Sequence, residues 1–504
     1  MTKASFMFSL FVFSCTISAA LQLSPNAFAE DKSSSASSAG AVASVGSSAS
    51  VGSSGPTGGS SPGTSAGALY IKVGEANLKK SPLAIPPFQF TGSPATAKNS
   101  LRVGKDLYDV FHNDMDSSDF FDMLKPDAFV EDTTKSSLKP ATQEIGGFSF
   151  SSWKQIGAEF LVRVGYYVSG DQLTIDTYTY YVPQGKLILG KTYHGKVADV
   201  RTVAHTFAND LVKELSGTRG VFLSRIVTSR STEPSQKEIF VMDWDGANTK
   251  QISFHKTIAQ SPTWSFDGKK LAYSAFAYHP NLKTRNLDLF TYELTTGRRF
   301  LVSYRIGINS GASFTPDNEH LLLTVSSGGN PDIYRITTEG EELKALTNGP
   351  SGAMNVEPAM SPDGKKIAFS TTRSGRPMLY VMDADGSNAQ RRTFAGVYNS
   401  TPAWSPDSKR IAFAGFDKDH FDIFVMDADG TNMSRLTSAA RTRGGKMSNN
   451  EDPSFSPDGR HILFRSDRTG KYQLYIVSTD GINERQITHD SHDYFKPRWS
   501  PYLD

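Results

Sequence analysis

The second half of the chain is written in short apolar runs, each closed by a cluster of turn formers. Lys366-Ile-Ala-Phe-Ser370 and Met378-Leu-Tyr-Val-Met382 are two such runs, the second followed by Asp383-Ala-Asp-Gly386. Runs this short, bounded by Asp, Gly, Pro and Ser, predict buried strands and not helices. Ile411-Ala-Phe413 with Ile423-Phe-Val-Met426, and Ile462-Leu-Phe464 with Leu474-Tyr-Ile-Val477, repeat the plan, and Gln390 to Thr393 starts a further strand. One phrase stands ahead of each pair. It reads Pro262-Thr-Trp-Ser-Phe-Asp-Gly268, Ala312-Ser-Phe-Thr-Pro-Asp-Asn318, Pro358-Ala-Met-Ser-Pro-Asp-Gly364, Pro402-Ala-Trp-Ser-Pro-Asp-Ser408 and Pro453-Ser-Phe-Ser-Pro-Asp-Gly459, and it ends with Pro497-Arg-Trp-Ser-Pro-Tyr502. The aligned positions Asp267, Asp317, Asp363, Asp407, Asp458 and Tyr502 are spaced by 50, 46, 44, 51 and 44 residues. That is the length of a four-stranded propeller blade.

The two ends of this array complement each other. Gly220-Val-Phe-Leu-Ser224 and Glu238-Ile-Phe-Val-Met242, with Asp243-Trp-Asp-Gly246, form a blade lacking its first strand, and the sixth phrase is a strand lacking its blade. Joined, they predict a ring of six blades over residues 218–504, closed by the C-terminal strand. Closure removes the unpaired strand edges that an open array would present.

Residues 69–217 carry a different pattern and predict a smaller α/β domain. Leu83 to Phe90 reads as a core strand, Leu101 to Met115 as a helix, Phe120 to Leu124 as a short strand, and Trp153 to Ala158 as a helix. Phe160 to Val164, Gln172 to Val182 and Lys186 to Gly195 alternate as half-buried strands do. Val200, Val203, Ala204, Phe207, Leu211 and Leu215 form one apolar stripe, headed by Asp199 and ended by Gly217. The fold class is therefore mixed, an α/β domain followed by a six-bladed β-propeller.

Lys3, an apolar run from Phe6 to about Ala20 and the small residues Ala27 and Ala29 give residues 1–29 the three-part pattern of a secretory signal peptide. Residues 30–68 are nearly all Ser, Gly, Ala, Val, Pro and Thr, which predicts a flexible tether. Cys15 is the single cysteine and would leave with the signal, so no disulfide framework is expected. Lys and Arg number 53 against 51 Asp and Glu, a near-balance that argues against a nucleic-acid partner.

Several motifs invite chemistry and lose it on inspection. Gly59 to Gly63 and Gly63 to Gly67 match the serine-hydrolase elbow, but in the tether no strand or helix can frame them. Ser151 and Lys154 have β-lactamase spacing without the companion motifs. The Asp-Ala-Asp-Gly turns place glycine fourth where a calcium loop needs it sixth. They and the Ser-Pro-Asp-Gly aspartates read as turn formers. His205 reads as structural, and His489 with His492 as loop residues. No catalytic residue, cofactor or metal is expected.

Signal peptide, α/β domain and six-fold ring together resemble the TolB-like proteins. The residues that carry the likeness are Trp153, Gly157-Ala158-Glu159, Ala204-His-Thr206, Asp210, Gly217, Gly220-Val-Phe222, Arg225-Ile226 and Trp499-Ser-Pro-Tyr-Leu503. The resemblance implies a non-catalytic periplasmic monomer of a Tol–Pal system, serving outer-membrane integrity and cell division. It implies docking of the peptidoglycan-associated lipoprotein Pal at one mouth of the propeller, lined by Asn309, Ser310, Glu357, Thr401, Asp452 and Lys496. It also implies that a segment ahead of the first strand of the α/β domain, Tyr70, Ile71, Lys72, Val73, Gly74 and Glu75, meets TolA by strand addition. The tether ahead of that segment departs from the family pattern. Two other readings of the ring remain open: a propeller that takes a glycan or small ligand in its channel, and a peptidase-associated propeller without its hydrolase domain.

Overall fold

The computed structural model describes residues 80–279, 283–350, 352–442 and 444–503. The expected signal peptide, the tether and the segment Tyr70 to Glu75 lie outside the described residues.

The α/β domain is a six-stranded sheet among the described residues. Strands β1 (Ser81–Ala84), β2 (Gln89–Phe90) and β3 (Phe121–Met123) form its parallel side, and a small separate pair is made by β4 (Ser137–Pro140) and β5 (Gly147–Phe148). β6 (Phe160–Ser169), β7 (Gln172–Tyr181) and β8 (Lys186–Lys196) follow as antiparallel neighbours. The order is β3-β1-β6-β7-β8, with β2 also on β6. Alternation along β6 sends Phe160, Val162, Val164 and Tyr166 to the helix-covered core and Leu161 to the opposite face. Helix α1 (Pro94–Ser117) packs on the later helix from Val200, with Phe111 stacked on Phe207 at 4.3 Å.

Four local expectations need correction. α1 begins seven residues before Leu101, because Pro94 in its first turn sacrifices no hydrogen bond there. The helix expected at Trp153 to Ala158 is α2 (Phe150–Gln155), capped by the Ser149 side chain, and Gly157 at φ +77° is already outside it. Asp199 stands ahead of α3 (Val200–Ser216) without making a side-chain capping bond, whereas Gly217 ends it at φ +72°. Gly220 to Ser224 is not a strand. Val221 and Phe222 are instead buried where the two domains meet, and the first blade starts at Arg225.

The propeller has six four-stranded blades. Tyr494–Trp499 pairs antiparallel with Arg225–Glu233 and completes blade one, so the ring is closed. The inner strands of blades two to six are Ala259–Trp264, Asn309–Phe314, Asn355–Met360, Tyr398–Trp404 and Asn450–Phe455. With Tyr494–Trp499 they touch one another in an unbroken circle. Outer strands are two residues long, Gln390–Arg391 being typical, except in blade two, where Arg299–Ser303 has five.

The repeated turns are explained by their bonds. In Ser361 to Lys366 the Asp363 carboxylate accepts from the Ser361 hydroxyl at 2.6 Å and from the Lys365 main chain at 3.1 Å, while Lys366 N–H donates to Ser361 at 2.9 Å. The same aspartate contacts recur at Asp267, Asp317, Asp407 and Asp458. The Asp-Gly turns, with Glu339-Gly340 in blade three, have a second task. Gly246, Gly340, Gly386, Gly430 and Gly481 sit at φ between +82° and +94°. A Cβ on them would fall 2.1–3.1 Å from the carbonyl oxygen of Ile487, Val302, Leu346, Arg392 and Leu436, on the outer edge of the preceding blade. These glycines are seams between blades. Blade two lacks this seam, since a Cβ on Gly297 would meet only the Tyr292 hydroxyl at 3.6 Å.

Gly386→Ala therefore combines left-handed strain with a backbone clash and is expected to destabilise the protein by about 3 kcal/mol. Gly297→Ala carries the strain alone and is expected to cost about 1 kcal/mol. Urea unfolding of the two variants checks the difference; equal losses would show that the close approach to Leu346 does not matter.

Candidate functional site

The two ends of the propeller differ. One end carries the Ser-Pro-Asp-Gly and Asp-Gly turns, and the α/β domain sits there. Asp119 meets His461, Ser478 and Asn483; Arg201 meets Asp243 and Asp245; Arg460 lies over the Phe120 ring at 4.1 Å. The other end carries the loops that lead from each outer strand to the next inner strand, and it faces away from that domain.

At this open end every inner strand has the same irregularity. Its third or fourth residue leaves the ladder in a bulge and takes a left-handed conformation: Ser261, Gly311, Glu357, Thr401, Asp452 and Lys496, at φ from +47° to +63°. Proline follows in five of the six, where the skipped ladder position needs no N–H. Five of these residues carry a side chain in a region that costs an L-residue about 1–2 kcal/mol. Such strain persists only where the surroundings impose it.

Here the surroundings are each other. Lys496 Nζ lies 2.8 Å from Glu357 and 3.0 Å from Asp452. Blades one and four are opposite in a ring of six, so the Lys496–Glu357 pair crosses the central axis. Thr401 N–H donates to Glu357 at 2.9 Å, and Arg465 binds Asp452 at 2.8 Å and Glu451 at 3.1 Å. Burial alone would raise Asp452, but Arg465 and Lys496 outweigh it and hold the carboxyl well below the usual range. Burial drives Glu451 the other way, and its cationic neighbours only partly oppose that. Lys496 is held above its ordinary value because Asp452 and Glu357 more than offset its desolvation. Tyr398 is pushed up to about 12 by burial beside Glu357. The channel mouth is thus a preset plug of paired charges.

Comparison with known proteins agrees with this architecture. Residues 212–503 match the family model described as the TolB beta propeller domain, and residues 69–188 match the TolB amino-terminal domain. The chain belongs to the TolB family. It is 32% identical over 279 residues to the Tol-Pal system protein TolB of Desulfosudis oleivorans, covering 55% of this chain and 60% of that one. It is 33% identical over 318 residues to the protein TolB homolog of Chlorobium chlorochromatii, covering 62% and 66%. Each aligned stretch spans less than two thirds of the relative's own length. The crystal structure of TolB from Acinetobacter baumannii superposes with a TM-score of 0.69 at 23% identity, over 84% of this chain and 97% of that one.

Within this TolB-family chain the expected mouth residues separate into two groups. Glu357, Thr401, Asp452 and Lys496 occupy the bulge ring. They lie inside the inner strands. Asn309 and Ser310 do not join the ring, and the in-register residue is Gly311. Asn309 is fully buried and binds the main chain of Leu287 and Arg305. Its counterparts Asn355, Asn399 and Asn450 are buried in the same way. Sequence reading also missed Ser261, Arg465 and Glu451. Asp317, Glu319 and His320 bring ligand atoms within 4.8 Å of one another, but Asp317 there makes the bonds of its repeat turn. His205, read as structural, is buried and pairs with buried Asp114 at 2.7 Å. No helix among the described residues is long and apolar enough to cross a membrane.

Asp119 is the anchor of the other end. It occupies the left-handed position after α1, φ +61°, where a glycine would serve the backbone equally well. Its carboxylate accepts from His461 at 3.0 Å and from Ser478 and Asn483 at 2.6 Å each. Burial raises Asp119, but His461 and Ser478 outweigh it and lower it; burial lowers His461, but Asp119 and Asp458 outweigh it and raise it. A lowered carboxyl contributes stability above about pH 4 that is lost only as pH falls through its folded value. A raised imidazole contributes stability below about pH 6.5 that is lost as pH rises through its folded value. Both contributions are whole between about pH 4 and 6.5. Asp119→Ala is therefore expected to cost about 3 kcal/mol near pH 6 and less towards pH 9. Urea unfolding at several pH values checks this, and a pH-independent loss would exclude the ion pair as its source.

Proposed function

We propose that this chain is a non-catalytic docking component of a Tol–Pal system, working in the periplasm. On this reading the open end of the propeller receives the peptidoglycan-associated lipoprotein, and the segment Tyr70 to Glu75 meets TolA. The observation that carries it is the plug: side chains from opposite blades fixed in strained positions at a mouth the α/β domain leaves uncovered. A surface set before its partner arrives loses little entropy on binding. The carboxylates of the mouth are bonded to Lys496, Arg465 and main-chain N–H groups, an arrangement suited to rigid presentation. The relative from Desulfosudis oleivorans is named a Tol-Pal system protein, which supports the same reading. A role in outer-membrane integrity and cell division follows from it.

The immobilised mature chain is expected to retain the peptidoglycan-associated lipoprotein from an outer-membrane extract, identified by mass spectrometry. Glu357→Gln is expected to weaken that binding about ten-fold while leaving the fold intact. Deleting residues 30–75 is expected to leave it unchanged and to abolish capture of TolA. No retention by the intact chain would refute the reading.

A further inference from the structure

The loops of the open end contain a second six-fold pattern. Each begins with a buried hydroxyl residue: Ser253, Ser303, Thr347, Thr393, Thr437 and Thr488. Five of these hydroxyls accept a hydrogen bond, at 2.8–3.0 Å, from the main-chain N–H of Ile239, Ile333, Leu379, Ile423 and Leu474. Ser303 binds Asn309 and Arg305 instead. The residue after each anchor is thereby fixed at the rim. Three of these six are large aromatics, Phe254, Tyr304 and Phe394, and they are 68%, 60% and 73% exposed. Ile306 is 69% exposed on the Tyr304 loop, whose backbone is further tied by Asn286 to Gly307 and Arg305. Tyr304 stacks beside His279 and Phe394 lies under Arg391, yet each ring stays mostly exposed, and exposed apolar side chains on a tied backbone mark a contact surface.

The exposed charge around them is mostly basic, with Glu233 and Asp419 as exposed carboxylates on neighbouring hairpins. Lys256, Lys283, Arg285 and Arg376 are exposed on the loops and hairpins of this sector. The carboxylates beside them are already bonded: Glu238 to Ser253 and Lys256 N–H, Asp288 to His279 and Asn286, Asp332 to Thr347 and Asn355. A basic rim with protruding aromatics attracts an acidic counterpart and repels a second copy of itself. The aromatics stand apart around a recessed mouth, with Asn348 between Tyr304 and Phe394 in the ring order. That shape fits a protein surface better than the plane of a membrane.

We infer that the rim carrying Phe254, Tyr304 and Phe394 is a specificity element, which selects a protein partner that presents apolar side chains flanked by carboxylates. This rests on the docking role proposed above and names the chemistry of the partner's side. The test has two arms on the full mature chain. In the first, the soluble domain of the peptidoglycan-associated lipoprotein is titrated calorimetrically at about 50 and about 300 mM NaCl, a range over which screening changes strongly. Affinity is expected to fall with salt. The triple variant Phe254→Ser, Tyr304→Ser, Phe394→Ser is expected to bind at least about ten-fold more weakly with an unchanged melting temperature. Lys256→Glu with Arg376→Glu is expected to flatten the salt dependence.

In the second arm, a random peptide library is panned on the wild-type chain and on the triple variant. Asp- and Glu-rich peptides containing Trp, Phe or Leu are expected on the wild type alone. Equal lipoprotein binding by wild type and triple variant would overturn the inference and leave the docking role standing. No lipoprotein binding, with acidic apolar peptides still selected, would sink the docking role and leave the rim. Peptides without acidic enrichment, or rim-dependent binding to phosphatidylglycerol vesicles, or rim-dependent self-association, would each overturn the inference.

Discussion

The strand Tyr494–Trp499 is the constraint on which the rest of the molecule depends. Its pairing with Arg225–Glu233 joins segments separated by the whole propeller, and without it blade one would expose an open edge. Because the loop it closes is long, the ordering cost must be met by contacts made at the join. They are numerous. Trp499 donates from its indole to Ser224 at 2.7 Å, Thr228 donates to the Phe495 carbonyl at 3.0 Å, and Tyr502 donates to the Arg219 carbonyl at 2.9 Å. Arg219 returns a bond to the Leu503 carbonyl at 2.6 Å and lies over the Tyr502 ring. Tyr502 stands where the other five phrases have aspartate, and here it serves as a clasp to Arg219.

The closing strand also carries Lys496, so closure and plug are one event. Lys496 reaches Glu357 and Asp452 only when blade one has been completed from both chain ends. The left-handed positions of the bulge ring are affordable on the same condition. Glu357, Thr401, Asp452 and Lys496 are each held by neighbours on other blades, and those neighbours are in place only in the finished ring. The channel mouth therefore reports on the integrity of the whole disc, which suits a surface that a partner must find in one fixed form.

Much of this was legible in the sequence, for definite reasons. Turn chemistry is local: Ser, Pro, Asp and Gly at fixed offsets dictate the same bonds wherever they occur, so the period and the blade count followed from the phrase itself. The mouth was legible only in part. A bulge adds one residue to a strand, and the proline after it marked the position in four repeats while Ser261, also followed by proline, was passed over; blade three has Ala312 there, and the register slipped to Asn309 and Ser310. Asp119 was missed because an aspartate after a helix is unremarkable until its partner, His461, is brought up from 342 residues away. The hydroxyl anchors of the rim were missed because each is a single Ser or Thr between segments of unequal length.

The inequality of those segments is itself informative. At the turn end five of the six repeats are close copies, since their turn glycines must fit against the neighbouring blade, and the α/β domain rests on the result. At the open end the loops range from the few residues between Thr393 and Tyr398 to the longer stretch between Thr437 and Asn450. No seam constrains their length. A fold whose geometry is fixed at one end and free at the other can change its binding surface without disturbing its closure. The aromatics at Phe254, Tyr304 and Phe394 stand on the free end, one residue beyond a fixed hydroxyl, where side chains can be exchanged at little expense to stability.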